Sequence, residues 1–365
     1  MTLEEFLQEW NNDSDRVLVH TSGSTGKPKP IWVDKRRMEA SARITCDFLG
    51  LKEGDTALLC MSLDYIAGKM MVVRSLVRNL KLIVVEPTGH PLADATPLQL
   101  PRGGEKVPEQ TSSPSGKVGR GVVFAAMVPM QVYNSLQVPE ERERLKQIKH
   151  LIIGGGAIDE AMASELKDFP NYVWSSYGMT ETLSHIALRR LNGVEASDWY
   201  TPFAHVQISQ NEDGCLVIDA PEVCAERLVT NDIVEISEAG FRIIGRKDNV
   251  ICSGGIKIQA EEVERALKPY LHVPFMITKR KDTKFGEVVV MMIEDRGERR
   301  EDREERDSLK TRLQRLCREH LPKYWQPRDV VFVEKIPMTE TGKPARRQAE
   351  EWVSTHTKHP SSITY

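Results

Sequence analysis

The sequence lacks a surplus of positive charge, a regular cysteine spacing and a long apolar run. Its 50 Lys and Arg are balanced by 53 Asp and Glu, so there is no global basic field and we expect no nucleic acid partner. The 6 cysteines include no CxxC pair, which indicates reduced thiols rather than a disulfide framework. No apolar stretch reaches the length needed to cross a bilayer, so we expect no stable membrane insertion.

The N-terminal residues also lack the basic start and apolar run of a signal peptide, because they carry Glu4, Glu5, Glu9 and Asp13. Together with the scattered cysteines, this predicts a cytoplasmic protein. A chain of 365 residues, 40% of them hydrophobic, has room for two domains. The composition favours small molecules as partners and leaves a monomer and a homodimer both open.

The first half of the chain alternates strand-like and helix-like patterns. An apolar run at 16–20 leads into a loop rich in Gly, Ser and Thr, and helical spacing follows over 35–50, which predicts strand, loop and helix. Further strands are predicted at 57–61, 80–85, 122–128 and 151–153, and helices at 66–77, 130–137 and 139–149. This alternation predicts a mainly parallel sheet flanked by helices.

The pattern changes twice further along the chain. Residues 86–118 are rich in Pro, Gly, Ser and Thr, so we predict a long loop there. Beyond about residue 206, short β segments alternate with turns, and from residue 248 helices and strands alternate again. We therefore predict an α/β protein with a large N-terminal domain at 1–247, β-rich from about 200 to 247, and a small α+β C-terminal domain at 248–365.

The loop at 21–29 has the sequence TSGSTGKPK. Its glycines allow close backbone approach, and its N–H groups, hydroxyls and lysine can bind phosphate oxygens. It is not a Walker loop, because its glycines are too close together and no Ser or Thr follows Lys27. An ordinary Ser/Gly turn is the alternative. The candidate phosphate-binding residues are Thr21, Ser22, Gly23, Ser24, Thr25, Gly26 and Lys27.

This string resembles the phosphate loop of the ANL superfamily of adenylate-forming enzymes. A second motif that resembles the family, SYGMTET, occupies 176–182. The resemblance implies that Tyr177 lies along the adenine of ATP, next to Gly178. It also implies that Thr180 contacts phosphate and that Glu181 binds Mg²⁺, a cation that prefers oxygen ligands. Capping of a following helix is the alternative role for Thr180 and Glu181.

A third motif, Thr230-Asn231-Asp232, resembles the TGD sequence of the family. The resemblance implies that Asp232 accepts hydrogen bonds from the ribose hydroxyls. Asn231 stands where the family usually has glycine, and asparagine also tolerates a left-handed backbone. The turn is therefore expected to survive the substitution.

The segments GRKDN at 245–249 and GGIKI at 254–258 resemble the junction between the two family domains. The resemblance implies that Arg246 contacts the ribose and that Asp248 is the hinge about which a mobile C-terminal domain turns. It also implies that Gly254 and Gly255 border the pantetheine tunnel of coenzyme A. An ordinary hairpin loop is the alternative.

The last motif, PMTETGKP at 337–344, resembles the C-terminal loop that delivers a catalytic lysine. The resemblance implies that Lys343 bridges the attacking carboxylate and the α-phosphate. A solvated turn is the alternative, and only the ordered series of motifs favours catalysis. Family members usually carry a further subdomain before the phosphate loop, so we expect a shortened member. A catalytically dead adenylate-binding regulator is the non-enzyme alternative.

Segments at 49–77, 151–166 and 175–193 resemble the o-succinylbenzoate:CoA ligases of menaquinone biosynthesis. The resemblance implies ATP and coenzyme A as co-substrates and Mg²⁺ as the metal ion. Another aryl or fatty acyl-CoA ligase, or an enzyme that loads a carrier protein, is the alternative.

The expected acyl-substrate residues fall in the same segments. Three glycines would let the acyl group lie against the backbone, and Tyr65 would replace a histidine that these ligases commonly have. Ser184 and His185 would lie one helical turn beyond Glu181 and face a dicarboxylate, although His185 could equally face solvent. The full set is Gly154, Gly155, Gly156, Ser184, His185 and Tyr65.

Overall fold

A computed structural model describes residues 1–20, 30–93, 98–99, 121–158, 160–295, 303–339 and 344–356, without the side chains of 98–99 and 303–308. The phosphate loop, Lys343 and most of the predicted loop at 86–118 therefore lie outside the described residues. The chain divides into two compact units. The first comprises Met1–Ser209, Val217–Leu228 and Ile236–Arg242, and the second comprises Gln210–Leu216, Val229–Glu235 and Ile243–Tyr365.

The first unit contains helices and strands in alternation, as the sequence pattern predicts. Its helices are α1 (Leu3–Trp10), α2 (Lys35–Phe48), α3 (Ile66–Arg78), α4 (Pro129–Gln137), α5 (Pro139–Gln147) and α6 (Glu160–Leu166). Its strands are β1 (Arg16–His20), β2 (Pro30–Asp34), β3 (Thr56–Leu59), β4 (Lys81–Val84), β5 (Leu98–Gln99), β6 (Phe124–Met127), β7 (His150–Ile153), β8 (Tyr172–Gly178), β9 (His185–Arg190) and β10 (Thr201–Pro202).

Local sequence signals explain several of these helix ends. The side chain of Asp34 caps α2 by accepting a hydrogen bond from the Arg36 N–H at 2.9 Å. Helix α3 ends at Asn79, whose φ of 51° is the left-handed conformation that asparagine tolerates. Helix α4 begins with Pro129, in the first turn where a missing N–H costs nothing.

The main sheet of the first unit has eight strands in the order β10-β9-β8-β7-β6-β3-β4-β5. Strands β8, β7, β6, β3 and β4 are mutually parallel, whereas β9 and β5 run antiparallel to their neighbours. The apolar residues of β6 and β7 pack with α4, α5 and α6 in one continuous core. The predicted α/β class with a mainly parallel sheet is confirmed.

The strand order reverses between β3 and β6, and such switch points open a crevice at the carboxyl ends of the strands. Buried Gln131 of α4 organises this edge. Its Nε2 donates to the carbonyl oxygens of Cys60 at 2.8 Å and Thr88 at 3.0 Å, and its Oε1 accepts from the Val128 N–H at 3.2 Å. One amide thus ties together the chain segments that leave three neighbouring strands.

Strand β1 does not join the main sheet. The predicted order of strand, loop and helix over 16–50 also missed a second strand between the loop and the helix. Strand β2 precedes α2 and pairs with β1 as a separate antiparallel hairpin. The outer edge of β1 is covered by side chains instead of a strand. The Leu18 N–H donates to Glu9 Oε1 at 3.1 Å, and its carbonyl oxygen accepts from Lys69 Nζ at 2.8 Å.

The β-rich segment forms a four-stranded sheet of order β11-β12-β13-β14, as the short β patterns predict. Its strands are β11 (Gln207–Gln210), β12 (Cys215–Asp219), β13 (Leu228–Ser237) and β14 (Gly240–Arg246). The C-terminal part is α+β, as expected. Its sheet has the order β16-β15-β18-β17, with β19 parallel to β18.

The C-terminal part contains more elements than the sequence pattern indicates. Its strands are β15 (Val250–Ser253), β16 (Ile256–Gln259), β17 (Phe275–Asp282), β18 (Gly286–Glu294) and β19 (Asp329–Val333), and its helices are α7 (Ala260–Leu267), α8 (Arg303–His320) and α9 (Arg346–His356). Short 3-10 turns occupy Lys247–Asn249, Lys268–Tyr270 and Lys323–Trp325. Within the described ranges, no helix combines the length and apolar character that a membrane crossing requires.

Candidate active site

The three predicted acyl-site glycines lie where β7 ends, at the carboxyl edge of the main sheet. A Cβ on Gly154 would fall 2.3 Å from the Oγ of Ser176, so only glycine fits there without a shift. Gly155 has a φ of 78°, which side chains rarely adopt. A Cβ on Gly156 would touch the Pro129 ring at 3.4 Å. The glycine run therefore lies close to the start of α4 on one side and β8 on the other.

Tyr177, near the end of β8, is buried in an aromatic cluster. Its ring centroid lies 5.0 Å from that of Phe241 and 6.0 Å from that of Tyr200, and both rings meet it at steep angles. The hydroxyl groups of Tyr200 and Ser175 lie 2.8 Å apart. The cluster holds the Tyr177 ring rigidly, which suits a wall for a planar ligand.

Gly178 is required by the fold itself. A β-bulge at Tyr177 and Gly178 brings the returning chain so close that a Cβ on Gly178 would lie 2.3 Å from the Ser184 carbonyl oxygen and 2.5 Å from the His185 Cα. The returning strand β9 pairs with β8 in the main sheet. Gly178 therefore allows two backbone segments to pass each other.

The predicted helical placement of Ser184 and His185 is wrong, because the chain turns instead of continuing as a helix. The Thr182 hydroxyl closes the turn by accepting from the Met179 N–H at 3.0 Å. Leu183 then takes a φ of 64°, a left-handed conformation that is costly for a bulky residue. His185 follows as the first residue of β9.

Thr180 and Glu181 lie in this turn with opposite exposure, since Thr180 is buried and Glu181 is exposed. Among the described residues there is no group of three His, Cys, Asp or Glu side chains that could hold a metal ion. Mg²⁺ in nucleotide sites commonly takes one or two carboxylates together with phosphate oxygens. The single exposed carboxylate of Glu181 fits that mode of binding.

Ser184 and His185 belong to a hydrogen-bonded chain with two residues that the sequence pattern did not single out. Arg74 Nη2 donates to Ser184 Oγ at 2.6 Å, and Ser184 Oγ lies 3.2 Å from His185 Nδ1. The other ring nitrogen, Nε2, lies 3.1 Å from the hydroxyl of Thr45 on α2. The His185 ring also packs against Phe203, with centroids 5.7 Å apart. His185 is therefore held inside the unit by hydrogen bonds and does not simply face solvent.

Arg74 is the unusual member of this chain of hydrogen bonds, because it is a buried cation that no carboxylate among the described residues pairs. Its side chain is 2% exposed, and within the described ranges no carboxylate lies at ion-pair distance from it. Its Nε is buried without a hydrogen-bond partner. Burial lowers its pKa to about 10. Burial and the Arg74 charge together hold the pKa of His185 well below its usual value.

Tyr65, the remaining acyl-site prediction, is 41% exposed at the N-cap of α3. It forms a parallel bridge with His20 at the end of β1. None of its described contacts is with Ser184 or His185. The structure therefore does not join Tyr65 to the chain of residues around Arg74.

In the second unit, the predicted ribose-binding residues do come together. Arg246 donates to Asp232 Oδ1 at 2.8 Å and to Asp248 Oδ2 at 3.0 Å. Burial lowers the pKa of Arg246, but the two carboxylates outweigh it and raise the pKa above the ordinary value. Asn231, in the position where the family usually has glycine, donates to Asp248 Oδ2 at 3.2 Å.

The two glycines predicted near the coenzyme A tunnel form the tight turn between β15 and β16. Gly254 has a φ of 59° and Gly255 a φ of 84°. The Gly254 N–H donates to the Phe285 carbonyl oxygen at 2.8 Å, and a Cβ there would lie 3.3 Å from the Phe285 ring. Their role toward coenzyme A stays a prediction.

The residues on either side of the predicted catalytic lysine are firmly held. Met338 and Pro344 form an antiparallel bridge. Arg346 then makes two hydrogen bonds to Glu264, at 2.9 and 2.7 Å, and one to the Ile277 carbonyl oxygen at 2.7 Å. The Met338–Pro344 bridge thus encloses position 343, and a partly buried ion pair follows it.

Comparisons of the sequence with known proteins agree with the predicted family. The family model of AMP-binding enzymes matches residues 5–220, and that of the AMP-binding enzyme C-terminal domain matches residues 277–343. The 2-succinylbenzoate–CoA ligase of Listeria monocytogenes is 26% identical over 370 residues, which cover 95% of this chain and 72% of that protein.

Solved structures agree with the family assignment. An acyl-CoA synthetase (AMP-forming)/AMP-acid ligase II-like protein from Dyadobacter fermentans is 33% identical with a TM-score of 0.60, covering 96% of this chain and 93% of that one. The fold is also similar to that of o-succinylbenzoate coenzyme A synthetase from Bacillus subtilis, solved with ATP and magnesium, at 21% identity, a TM-score of 0.67 and coverage of 91% and 69%. The chain belongs to the family of AMP-binding enzymes, within the ANL superfamily of adenylate-forming enzymes.

Proposed function

We propose that the protein is an AMP-forming acid:CoA ligase that converts o-succinylbenzoate to its CoA thioester in menaquinone biosynthesis. In the first half-reaction, a carboxylate oxygen of the acid attacks the α-phosphorus of ATP, and pyrophosphate leaves. In the second, the sulfur of coenzyme A attacks the acyl carbon, and AMP leaves while the thiol proton goes to solvent. The relatives named as 2-succinylbenzoate–CoA ligases support this proposal.

The residue roles follow from the family motifs. Residues 21–27 and the Tyr177–Gly178 strand end would bind ATP, and Asp232 and Arg246 would bind its ribose. Glu181 would hold Mg²⁺, which supplies charge neutralisation to the phosphates when bound. Thr180 and Lys343 would stabilise the charge that develops at the α-phosphate.

The observation that carries the choice of acid is the buried guanidinium of Arg74, for which the described part of the chain supplies no carboxylate partner. A buried charge is costly unless an anion pairs with it. Ser184 and His185, its neighbours in the chain of hydrogen bonds, are neutral, so neither supplies that anion. o-Succinylbenzoate has two carboxylates, of which one is activated and the other remains free to pair with a cation. A dicarboxylic acid thus satisfies a charge that a fatty or simple aryl acid would leave unpaired.

The test is a panel of acids assayed for pyrophosphate release, with the acyl acceptor varied in parallel. We expect o-succinylbenzoate with free coenzyme A to give the highest kcat/KM and to yield the thioester. A 2-acylbenzoate without the second carboxylate is the matched control. Turnover of the control at the same kcat/KM would refute the choice of acid, and transfer only to a phosphopantetheinyl carrier protein would refute the acceptor.

The role of Lys343 is tested by separating the half-reactions. We expect Lys343→Ala to abolish acyl-adenylate formation, while thioester formation from supplied acyl-adenylate continues, because the lysine stabilises only the first transition state. Equal loss of both half-reactions would contradict the assignment.

A further inference from the structure

The hydroxyl of Thr45 bears on which nitrogen of His185 carries the proton. A threonine hydroxyl has one hydrogen to donate. Thr45 Oγ1 lies 3.1 Å from the Ser41 carbonyl oxygen, which can only accept, and 3.1 Å from His185 Nε2. When the hydrogen goes to the carbonyl, the Thr45 oxygen accepts from a protonated Nε2. An unprotonated Nε2 would take that hydrogen instead.

The hydroxyl of Ser184 favours the tautomer with the proton on Nε2. A neutral imidazole with a proton on Nε2 has a lone pair on Nδ1. Ser184 Oγ, 3.2 Å from Nδ1, then donates its hydrogen to the ring. The lone pairs of Ser184 are left for Arg74 Nη2, which donates to them at 2.6 Å. In this tautomer every hydrogen of the chain has an acceptor, and the hydrogen bonds run in one direction from Arg74 through Ser184 and His185 to Thr45 and Ser41.

We propose that Thr45 is a positioning residue for the acid substrate: by fixing the tautomer of His185, it orients Ser184 and thereby the guanidinium of Arg74. The substrate part of this inference rests on the proposed function, in which Arg74 pairs with the second carboxylate. The tautomer part does not, because it follows from described hydrogen bonds alone. The low pKa of His185 agrees with a neutral ring.

The alternative tautomer shows what Thr45 prevents. With the proton on Nδ1, His185 would donate to Ser184 Oγ, and the Ser184 hydrogen would lose its present acceptor. Nε2 would then accept the Thr45 hydrogen, and the Ser41 carbonyl oxygen would lose its hydroxyl donor. Removing the Thr45 hydroxyl leaves the Nε2–H of the first tautomer without its acceptor, so both tautomers become accessible and the orientation of Arg74 is no longer unique.

The experiment compares Thr45→Val, which keeps the shape and loses the hydroxyl, with Thr45→Ser, which keeps the hydroxyl. Nitrogen-15 NMR of the full-length protein labelled in its histidine rings reports the tautomer, and a His185→Gln variant assigns the signal. We expect a neutral Nε2–H ring in the wild type and in Thr45→Ser, and a mixture of tautomers in Thr45→Val.

Kinetics with o-succinylbenzoate provide the second measurement. We expect Thr45→Val to raise the KM for the dicarboxylic acid about fivefold, the value of roughly one hydrogen bond, with kcat and the KM for ATP unchanged. Thr45→Ser should restore the wild-type KM. An Nδ1–H or cationic His185 in the wild type, or an unchanged KM in Thr45→Val, would overturn the inference. If the wild type does not use the acid, the proposed function fails while the NMR result still tests the tautomer.

Discussion

Two arginines, the buried Arg74 in the first unit and the partly buried Arg346 in the second, differ in their hydrogen-bond partners. Arg346 of the second unit makes two hydrogen bonds to the carboxylate of Glu264, with Glu261 at 3.8 Å. Burial lowers the pKa of Arg346, but these carboxylates raise it above its ordinary value. Among the described residues, the guanidinium of Arg74 in the first unit donates only to the Ser184 hydroxyl and the Met71 sulfur, and burial lowers its pKa to about 10.

The difference separates an arginine that a carboxylate pairs from one that no described carboxylate pairs. An arginine with a bidentate carboxylate has already recovered part of its desolvation cost within the fold. A buried arginine without one keeps that cost. By this criterion Arg346 stabilises the second unit, whereas under the proposed function Arg74 pairs with the second carboxylate of the acid.

The largest effect should come from breaking the paired arginine. We expect Arg346→Met to lower the free energy of unfolding by about 3–5 kcal/mol, because it leaves the Glu264 carboxylate partly buried and unpaired. Urea denaturation followed by circular dichroism measures this. The double variant Arg346→Met/Glu264→Leu should recover part of the loss. A loss below about 1 kcal/mol in the single variant would show that the pair is not structural.

Replacing Arg74 should lower the activity and leave the stability unchanged or raised. We expect Arg74→Met to leave the free energy of unfolding unchanged or raised, since it removes an uncompensated buried charge. We expect kcat/KM for o-succinylbenzoate to fall about 100-fold, or roughly 2.7 kcal/mol, and kcat/KM for the matched 2-acylbenzoate to stay constant. Urea denaturation measures the free energy of unfolding, and pyrophosphate release measures kcat/KM. An equal fall for both acids would remove the basis for assigning Arg74 to the second carboxylate.

The contrast between the arginines was not predictable from the sequence, although α3 itself was. The predicted helix at 66–77 agrees with Ile66–Arg78, because a long apolar segment between turns has few other solutions. An isolated arginine in such a segment usually extends its head group to water. Arg74 is buried by tertiary packing, since α3 packs against α2 and Arg74 contacts Ser184, which is 110 residues away in sequence.

The turn after Glu181 shows a second limit. The motif SYGMTET correctly predicted where chemistry-bearing residues cluster, but the helical placement of Ser184 and His185 failed. The actual path of the chain depends on Leu183 in a left-handed conformation. Leucine disfavours this conformation, so the sequence gives no reason to predict it. Strand β2 was missed for a simpler reason, since it begins with proline and exposes Trp32, and so shows no buried apolar run.

His150 extends the comparison to a buried base that stays neutral. Its ring is 7% exposed, both nitrogens lack hydrogen-bond partners, and burial lowers its pKa to about 4. The unfolded state therefore binds more protons between pH 6.5 and 4, so stability must fall as the pH falls through this window. We expect His150→Phe, which keeps the stacking on Tyr172, to stabilise the protein by about 1–3 kcal/mol more at pH 4 than at pH 8. Urea denaturation at both pH values measures it, and equal effects at both would contradict a neutral His150.

Lys69 is intermediate between Arg346 and Arg74 in its pairing with a carboxylate, and its replacement should have the smallest effect of the four variants. Its Nζ is buried on the same helix as Arg74, but it lies 3.5 Å from Glu9 and donates to the Leu18 carbonyl oxygen. Burial outweighs that partner, so its pKa is lowered.

Replacing a weakly paired buried cation by an apolar residue of similar length exchanges the lost hydrogen bond for relief of desolvation. We expect Lys69→Met to cost about 1 kcal/mol of unfolding free energy, between the values for Arg346→Met and Arg74→Met. Glu9→Gln, which keeps an acceptor for the Leu18 N–H, is the matched control and should cost no more. If Lys69→Met destabilised the protein as much as Arg346→Met, the degree of carboxylate pairing would not determine the order of the stability effects at Arg346, Lys69 and Arg74.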